Sequence, residues 1–208
     1  MSKDFTFQTE SNGRALEDLE WDNTWWEQAP DTSSARVLYI GDSISCGTRR
    51  TATLVSGNKI LFDGFGSSKA IDNPFFEESL RLFAKQEEYR QAVLFNNGLH
   101  GWHLDDSGSY AEYYIKMLRF LKAEFKNTPV AVVLTTAVSD PVRNERVKER
   151  NKAALRAAAE ENCPVIDLFS VSEKYSHLRS NDGVHFSDEG YTRLAEEIVK
   201  EVKRITGI

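Results

Sequence analysis

Short apolar runs punctuate the chain at Val37 to Ile40, Ala92 to Phe95, Val130 to Thr136 and Val165 to Phe169, with a weaker one around Lys59 to Phe62. Each is nearly continuous in apolar character, the pattern of parallel strands covered on both faces. Helical periods lie between them. Tyr114, Met117, Leu118, Leu121 and Phe125 recur at spacings of three and four, as do Leu194, Ile198, Val202 and Ile205, so each set forms one apolar stripe. Ser187, followed by Asp188 and Glu189, predicts an N-cap and first turn for the last helix. Further helices are predicted over 74–86, starting near Asn73-Pro74, and over 144–161.

Strands that alternate with helices over short connections predict an α/β fold, an open parallel sheet between two helical layers with right-handed crossovers. Ligands bind such sheets at the carboxyl ends of the strands. Chemistry is therefore expected after Ile40, Phe62, Phe95, Thr136 and Phe169, and in the loop before the last helix. The first 35 residues do not fit the alternation. Their stretch "LEWDNTWWEQAP" holds three of the four tryptophans and reads as an aromatic cover packed on the domain, with a substrate-facing lip as the alternative. The division expected is an extension over 1–35 and an α/β domain over 36–208.

At 208 residues the chain suits one domain. A composition 40% hydrophobic and 28% charged excludes a disordered chain. The net charge of -6 argues against nucleic acid or an anionic membrane surface as partner, since both reward dense Lys/Arg patches. No apolar run approaches the roughly 18 residues of a membrane span, and "MSKDFTFQTE" has no signal-peptide core. As written, the chain reads as cytoplasmic, with a secreted or periplasmic protein as the alternative had a signal peptide been removed. Cys46 and Cys163 decide nothing here, because a secreted domain of this size can do without a disulfide.

In "VLYIGDSISCG" (37–47), Ser43 follows the first strand and opens a helix. That position exposes the hydroxyl at the functional edge and sets helix-terminal N–H groups beside it. Serine needs a base to attack, and the base needs an orienting carboxylate. Of the four histidines, His185 sits in "NDGVHFSDEGY" before the last helix, three residues after Asp182, and a turn at Gly183 can return that carboxylate to the imidazole. Asn96, in "AVLFNNGLHGWH", ends the third strand beside the first and could donate its amide to an oxyanion; it could equally be a turn former.

These blocks together resemble the SGNH hydrolases, also called GDSL esterases and lipases. "GDSIS" matches the Gly-Asp-Ser block, "NNGLHG" the Gly-x-Asn-Asp block with Leu94 for Gly and Asn97 for Asp, and "DGVH" the Asp-x-x-His block. The remaining glycine block corresponds to "LFDGFGSSKAIDNP", where Gly66 is favoured over Gly64, or the backbone of Ser67 or Ser68 takes its place. The resemblance implies the SGNH-hydrolase fold: a three-layer α/β/α sandwich on a flavodoxin-like parallel five-stranded sheet of order 2-1-3-4-5.

It also implies a serine esterase with a triad of Ser43, His185 and Asp182, an acyl-enzyme, and an oxyanion hole of the Ser43 N–H, the Gly66 N–H and the Asn96 amide. No metal or organic cofactor is expected. Asp42, His100 and Trp102 are the expected substrate contacts, and the expected partner is a small-molecule or carbohydrate ester of short acyl chain. A catalytically inactive or nucleotide-binding protein on the same sheet is the rival.

Other features read as structural. Ser45 is expected to cap or pack, and Cys46 to fill space as a small buried residue. "HGWH" lacks a third metal ligand, and "GFGSSK" lacks the order of a P-loop or dinucleotide fingerprint. No Gly-x-Ser-x-Gly elbow occurs. "RNERVKERNKAALRAAAEE" reads as a solvated helix face.

Overall fold

The computed structural model describes residues 16, 19–86, 89–106 and 108–208. Its central strand is β2 (Ala35–Gly41), flanked by β3 (Ile60–Ser67) and β4 (Ala92–Phe95), with β5 (Val130–Val133) and β6 (Val165–Ile166) beyond β4. These five run parallel. Numbered among themselves they follow the predicted order 2-1-3-4-5. A sixth strand was not predicted: β1 (Asp22–Trp25) pairs antiparallel with β3 at the sheet edge. All four of its residues are exposed, so it carries none of the hydrophobic pattern by which strands are recognised.

Alternation along β2 divides the core. Val37 and Tyr39 join the cluster under α1 (Ser43–Val55) and α7 (Asp188–Thr206). Leu38 and Ile40 join the one under α2 (Phe76–Ala84), α4 (Tyr110–Glu124) and α5 (Pro141–Glu160). The protein is thus a three-layer α/β/α sandwich, as predicted.

Element ends follow local chemistry. Asp140 accepts from the Arg143 N–H and Pro141 occupies the first turn, so α5 starts before the predicted position. Asp167 likewise caps α6 (Leu168–Lys174), which cuts β6 to two residues and takes Phe169 out of the sheet. Between β4 and α4 lies the short α3 (His103–Asp106).

Residues 1–15, 17 and 18 of the expected aromatic cover lie outside the described residues. Within the rest, Trp26 stacks on Phe83 of α2 at 4.2 Å between centroids. The segment is tied down at its far end by the buried pair Arg36–Asp63 (2.6 Å): Asp63 accepts from the Glu27 N–H, and Arg36 donates to the Glu27 and Asp31 carbonyls.

Candidate active site

Ser43 is the first residue of α1, and Asp42 caps that helix by accepting from the Ile44 N–H at 2.9 Å. The cap engages the Ile44 N–H, so the N–H of Ser43 is left at the mouth of the helix dipole. Ser45, the second serine, is buried and donates to the Asp42 carbonyl (2.7 Å). It packs beneath the first turn of α1, one of its two expected roles.

The base comes from the loop before α7. Gly183 has φ +76, a conformation glycine adopts without Cβ strain, and the turn it makes brings Asp182 Oδ1 to the N–H groups of Val184 (2.9 Å) and His185 (3.0 Å). Asp182 Oδ2 faces His185 Nδ1 at 2.6 Å, and His185 Nε2 faces Ser43 Oγ at 2.8 Å. Burial pushes the Asp182 carboxyl up, but the Val184 N–H, the imidazole and the His185 N–H outweigh it and hold the group below its ordinary value. An ionised Asp182 accepts a hydrogen bond from the Nδ1–H of the imidazole and so fixes its tautomer. Nε2 is then the acceptor for the Ser43 hydroxyl. The loop itself is pinned, with the Ser139 N–H donating to the Gly183 carbonyl and the Ser180 N–H to that of His185.

The other expected site residues fare differently. Asn96 does end β4 beside β2, its N–H donating to the Ile40 carbonyl. Its side chain, however, leans toward β5. Nδ2 donates to the Val133 carbonyl (2.8 Å) and to Thr135 Oγ1 (2.9 Å), which engages both hydrogens of the amide.

Gly66 is corrected. It lies inside β3, paired with Gly41 on one side and Asn23 on the other. The Ser68 N–H donates to the Trp21 carbonyl. Hydrogen-bonded pairs recur every second residue of an antiparallel ladder, so the Gly66 N–H belongs to Asn23. What Gly66 supplies is space, since a Cβ there would come within 2.2 Å of Cys46 Sγ. Ser68, one of the alternatives to Gly66, has its N–H engaged by the same ladder.

Trp102 is also corrected. It is 2% exposed, with the guanidinium groups of Arg150 and Arg146 packed against its ring at 4.2 and 4.7 Å, so it is a buried packing residue and is not presented to a substrate. Asp42 is 1% exposed and works from beneath α1. Burial raises its carboxyl above the ordinary value, and His100, the Ile44 N–H, His185 and the Ser45 N–H offset this in part. His100 is buried at the same edge, with the Trp21 indole edge-on to it at 6.3 Å. His103 pairs with Asp72 at 2.9 Å. Among the described residues no group of three or more His, Cys, Asp or Glu side chains is placed to hold a metal ion, and no helix is long and apolar enough to cross a membrane.

Two residues of the supposedly solvated helix face are buried and hold the site's loops. Arg150, 2% exposed, donates to the carbonyls of Gly98, His100 and Gly101 and pairs with Asp105 at 2.7 Å. Asn151 accepts from the Thr135 N–H and donates to the Thr135 carbonyl, both at 2.9 Å. In the sequence they look like their charged neighbours Lys148 and Lys152, and only their place on the inner stripe of α5 could have marked them.

A family model, the GDSL-like lipase/acylhydrolase family, matches residues 39–193, a span from β2 into α7. The chain belongs to this family. Solved structures agree in fold. A lipase/acylhydrolase from Enterococcus faecalis is 21% identical, with 82% of this chain and 96% of that one covered at a TM-score of 0.62. The acetyl xylan esterase AlAXEase is 18% identical, with 80% and 99% covered and a TM-score of 0.62. A mutant of Axe2, an acetyl-xylooligosaccharide esterase from Geobacillus, is 18% identical, with 82% and 94% covered at the same TM-score of 0.62. No curated protein matches the sequence. In this GDSL-family chain the Gly-Asp-Ser block is the turn from β2 into α1, and the Asp-x-x-His block is the turn at Gly183.

Proposed function

We propose that this GDSL-family chain is a serine esterase that hydrolyses carboxylic esters of short acyl chain, acetyl groups on carbohydrates foremost, through an acyl-enzyme. The observation that carries the reading is the unbroken line Ser43 Oγ, His185 Nε2, His185 Nδ1, Asp182 Oδ2, with separations of 2.8 and 2.6 Å. Those are distances at which a proton passes between nucleophile and base.

Ser43 Oγ attacks the ester carbonyl carbon while its proton moves to His185 Nε2. The tetrahedral oxyanion then collapses, the C–O bond to the alcohol breaks, and His185 returns the proton to the departing alkoxide. Water repeats the sequence on the acyl-Ser43 ester and releases the acid. Asp182 stays ionised throughout and stabilises the imidazolium.

For the oxyanion hole the reading uses the Ser43 N–H at the start of α1 and the Asn96 amide, one hydrogen of which exchanges Thr135 Oγ1 for the oxyanion. Each such donor is worth about 10²- to 10³-fold in rate. Support for a short acyl group is that, among the described residues, no long apolar insertion lies between the strand ends and the helices that follow them. Support for a sugar acetate is the acetyl esterases among the structures of like fold.

The test is a panel of p-nitrophenyl esters of increasing chain length beside acetylated xylo-oligosaccharides, with a fluorophosphonate probe followed by peptide mapping. The expected result is label on Ser43 and a kcat/KM that falls beyond the shortest acyl chains. A protein that neither labels nor turns over p-nitrophenyl acetate is a binding protein on this fold.

A further inference from the structure

The N-terminal segment reaches the candidate site. In β1, Asn23 and Trp25 point to the α1 side of the sheet: Arg49 of α1 donates to Asn23 Oδ1 at 2.5 Å and lies 5.7 Å from the Trp25 ring. Side chains two apart on a strand share a face, and the ladder runs on past β1 through the Ser68 N–H to the Trp21 carbonyl (3.1 Å), so Trp21 belongs to that same face. Arg49 lies six residues beyond Ser43, about 9 Å along α1. Trp21 lies four residues before Trp25, about 13 Å back along the strand, in the direction of the helix start. The indole therefore stands level with the opening turn of α1, where its edge-on contact with His100 is found.

The segment is held there. Ser68 Oγ accepts from the Trp21 N–H and donates to the Leu19 carbonyl, Asp22 pairs with Lys69 at 2.7 Å, and Asn73 donates to Glu20 at 3.0 Å. Trp21 itself is half-buried. It is an indole on a fixed backbone, partly open to solvent, with His100 against its edge. An aliphatic acyl chain wants an apolar wall. A flat ring partly open to solvent on a fixed backbone suits a pyranose, which presents a face of C–H groups for stacking.

We propose that Trp21 is a specificity-determining residue that stacks on the sugar ring of the alcohol half of the ester. This rests on the esterase reading of Ser43. The test compares acetylated xylo-oligosaccharide with p-nitrophenyl acetate in wild type, Trp21→Ala, Trp21→Leu and, as a control, Trp25→Ala, whose exposed ring lies farther down the strand. Both Trp21 variants are expected to lower the ratio of kcat/KM for sugar ester over kcat/KM for p-nitrophenyl acetate about tenfold, through KM of the sugar ester. Trp25→Ala leaves the ratio as it was.

Leucine keeps an apolar side chain beside His100 but no flat ring, so a fold lost in the alanine variant does not end the test. An unchanged ratio in Trp21→Leu, or an equal fall on both substrates, overturns the assignment while turnover of p-nitrophenyl acetate keeps the esterase reading standing. Calorimetric titration of xylotetraose into Ser43→Ala, with and without Trp21→Leu, separates the two. If wild type cleaves neither ester but Trp21→Leu weakens xylotetraose binding about tenfold, the esterase reading falls and the stacking role stands.

Discussion

Ser43 Oγ stands 2.8 Å from Nε2 of His185, a residue 142 positions further along the chain. Two turns create this meeting: the one that ends β2 and starts α1, and the one at Gly183 that precedes α7. Ser45, two residues from Ser43, is turned inward and spends its hydroxyl on the Asp42 carbonyl. Ser43→Ala is therefore expected to cut kcat on p-nitrophenyl acetate by roughly 10⁴- to 10⁶-fold, since members of such a unit fail together. Ser45→Ala loses one buried hydrogen bond, about 1 kcal/mol of stability, and retains kcat within a few fold. Steady-state rates of the two purified variants decide it, and the reverse ranking would make Ser45 the nucleophile.

The two acidic residues of the site respond to pH with opposite sign. Burial, opposed by the Val184 and His185 contacts, leaves Asp182 below its ordinary value. Its contribution to stability is complete above the unfolded carboxylate value of about 3.9 and is lost only as pH falls through its lower folded value. For Asp42, burial wins and the folded value is raised. The native state then holds the Asp42 proton where the unfolded chain has released it, so stability declines as pH rises from about 3.9 through that raised value. Asp42→Asn keeps an oxygen for the Ile44 cap and removes the titration. Melting temperatures across pH 3.5 to 8 should shift in favour of the Asn variant as pH rises. A difference independent of pH would sink this account of Asp42.

Asn96 and Thr135 are in competition. The amide that the proposed chemistry needs is held by Thr135 Oγ1 and the Val133 carbonyl, and Gly98 makes the first contact fit, since a Cβ there would come within 1.7 Å of Thr135 Oγ1. Asn96→Ala is expected to lower kcat by about 10²- to 10³-fold with little change in KM. Thr135→Val removes the competing acceptor and should leave kcat equal or raise it a few fold. A hundredfold fall in the valine variant, read in the same kcat assay, would mean that the hydroxyl aims the amide and does not merely hold it.

The parallel sheet was legible because buried strands write themselves as continuous apolar runs, and Leu38 and Val37 need no context to be read that way. Ser43, Asp182 and His185 were legible as blocks at strand ends and helix starts. What escaped the sequence depended on pairing across the fold. β1 is exposed along its length and exists because β3 offers an unpaired edge. Gly66 looks like a loop glycine until the ladder assigns its N–H to Asn23. Trp102 and Arg150 look like a cleft aromatic and a surface cation, yet they stack on each other inside the protein at 4.2 Å. Neither residue announces a partner some fifty positions away.

Arg150 is where α5 meets the site. Its guanidinium ties the carbonyls of Gly98, His100 and Gly101 and the Asp105 carboxylate into one cluster, between the rings of Trp102 and Tyr110. A planar fork with five donors serves several carbonyl acceptors at fixed angles, and an ammonium at the end of a flexible stem does not. Arg150→Lys keeps the charge but abandons some of these buried acceptors, each at about 1–3 kcal/mol. A loss of several kcal/mol in urea unfolding is expected. The loop it releases carries His100, against which Trp21 rests, so the folded fraction of the variant should also turn over ester more slowly than wild type. Near wild-type stability in Arg150→Lys would mean that the charge alone holds this loop.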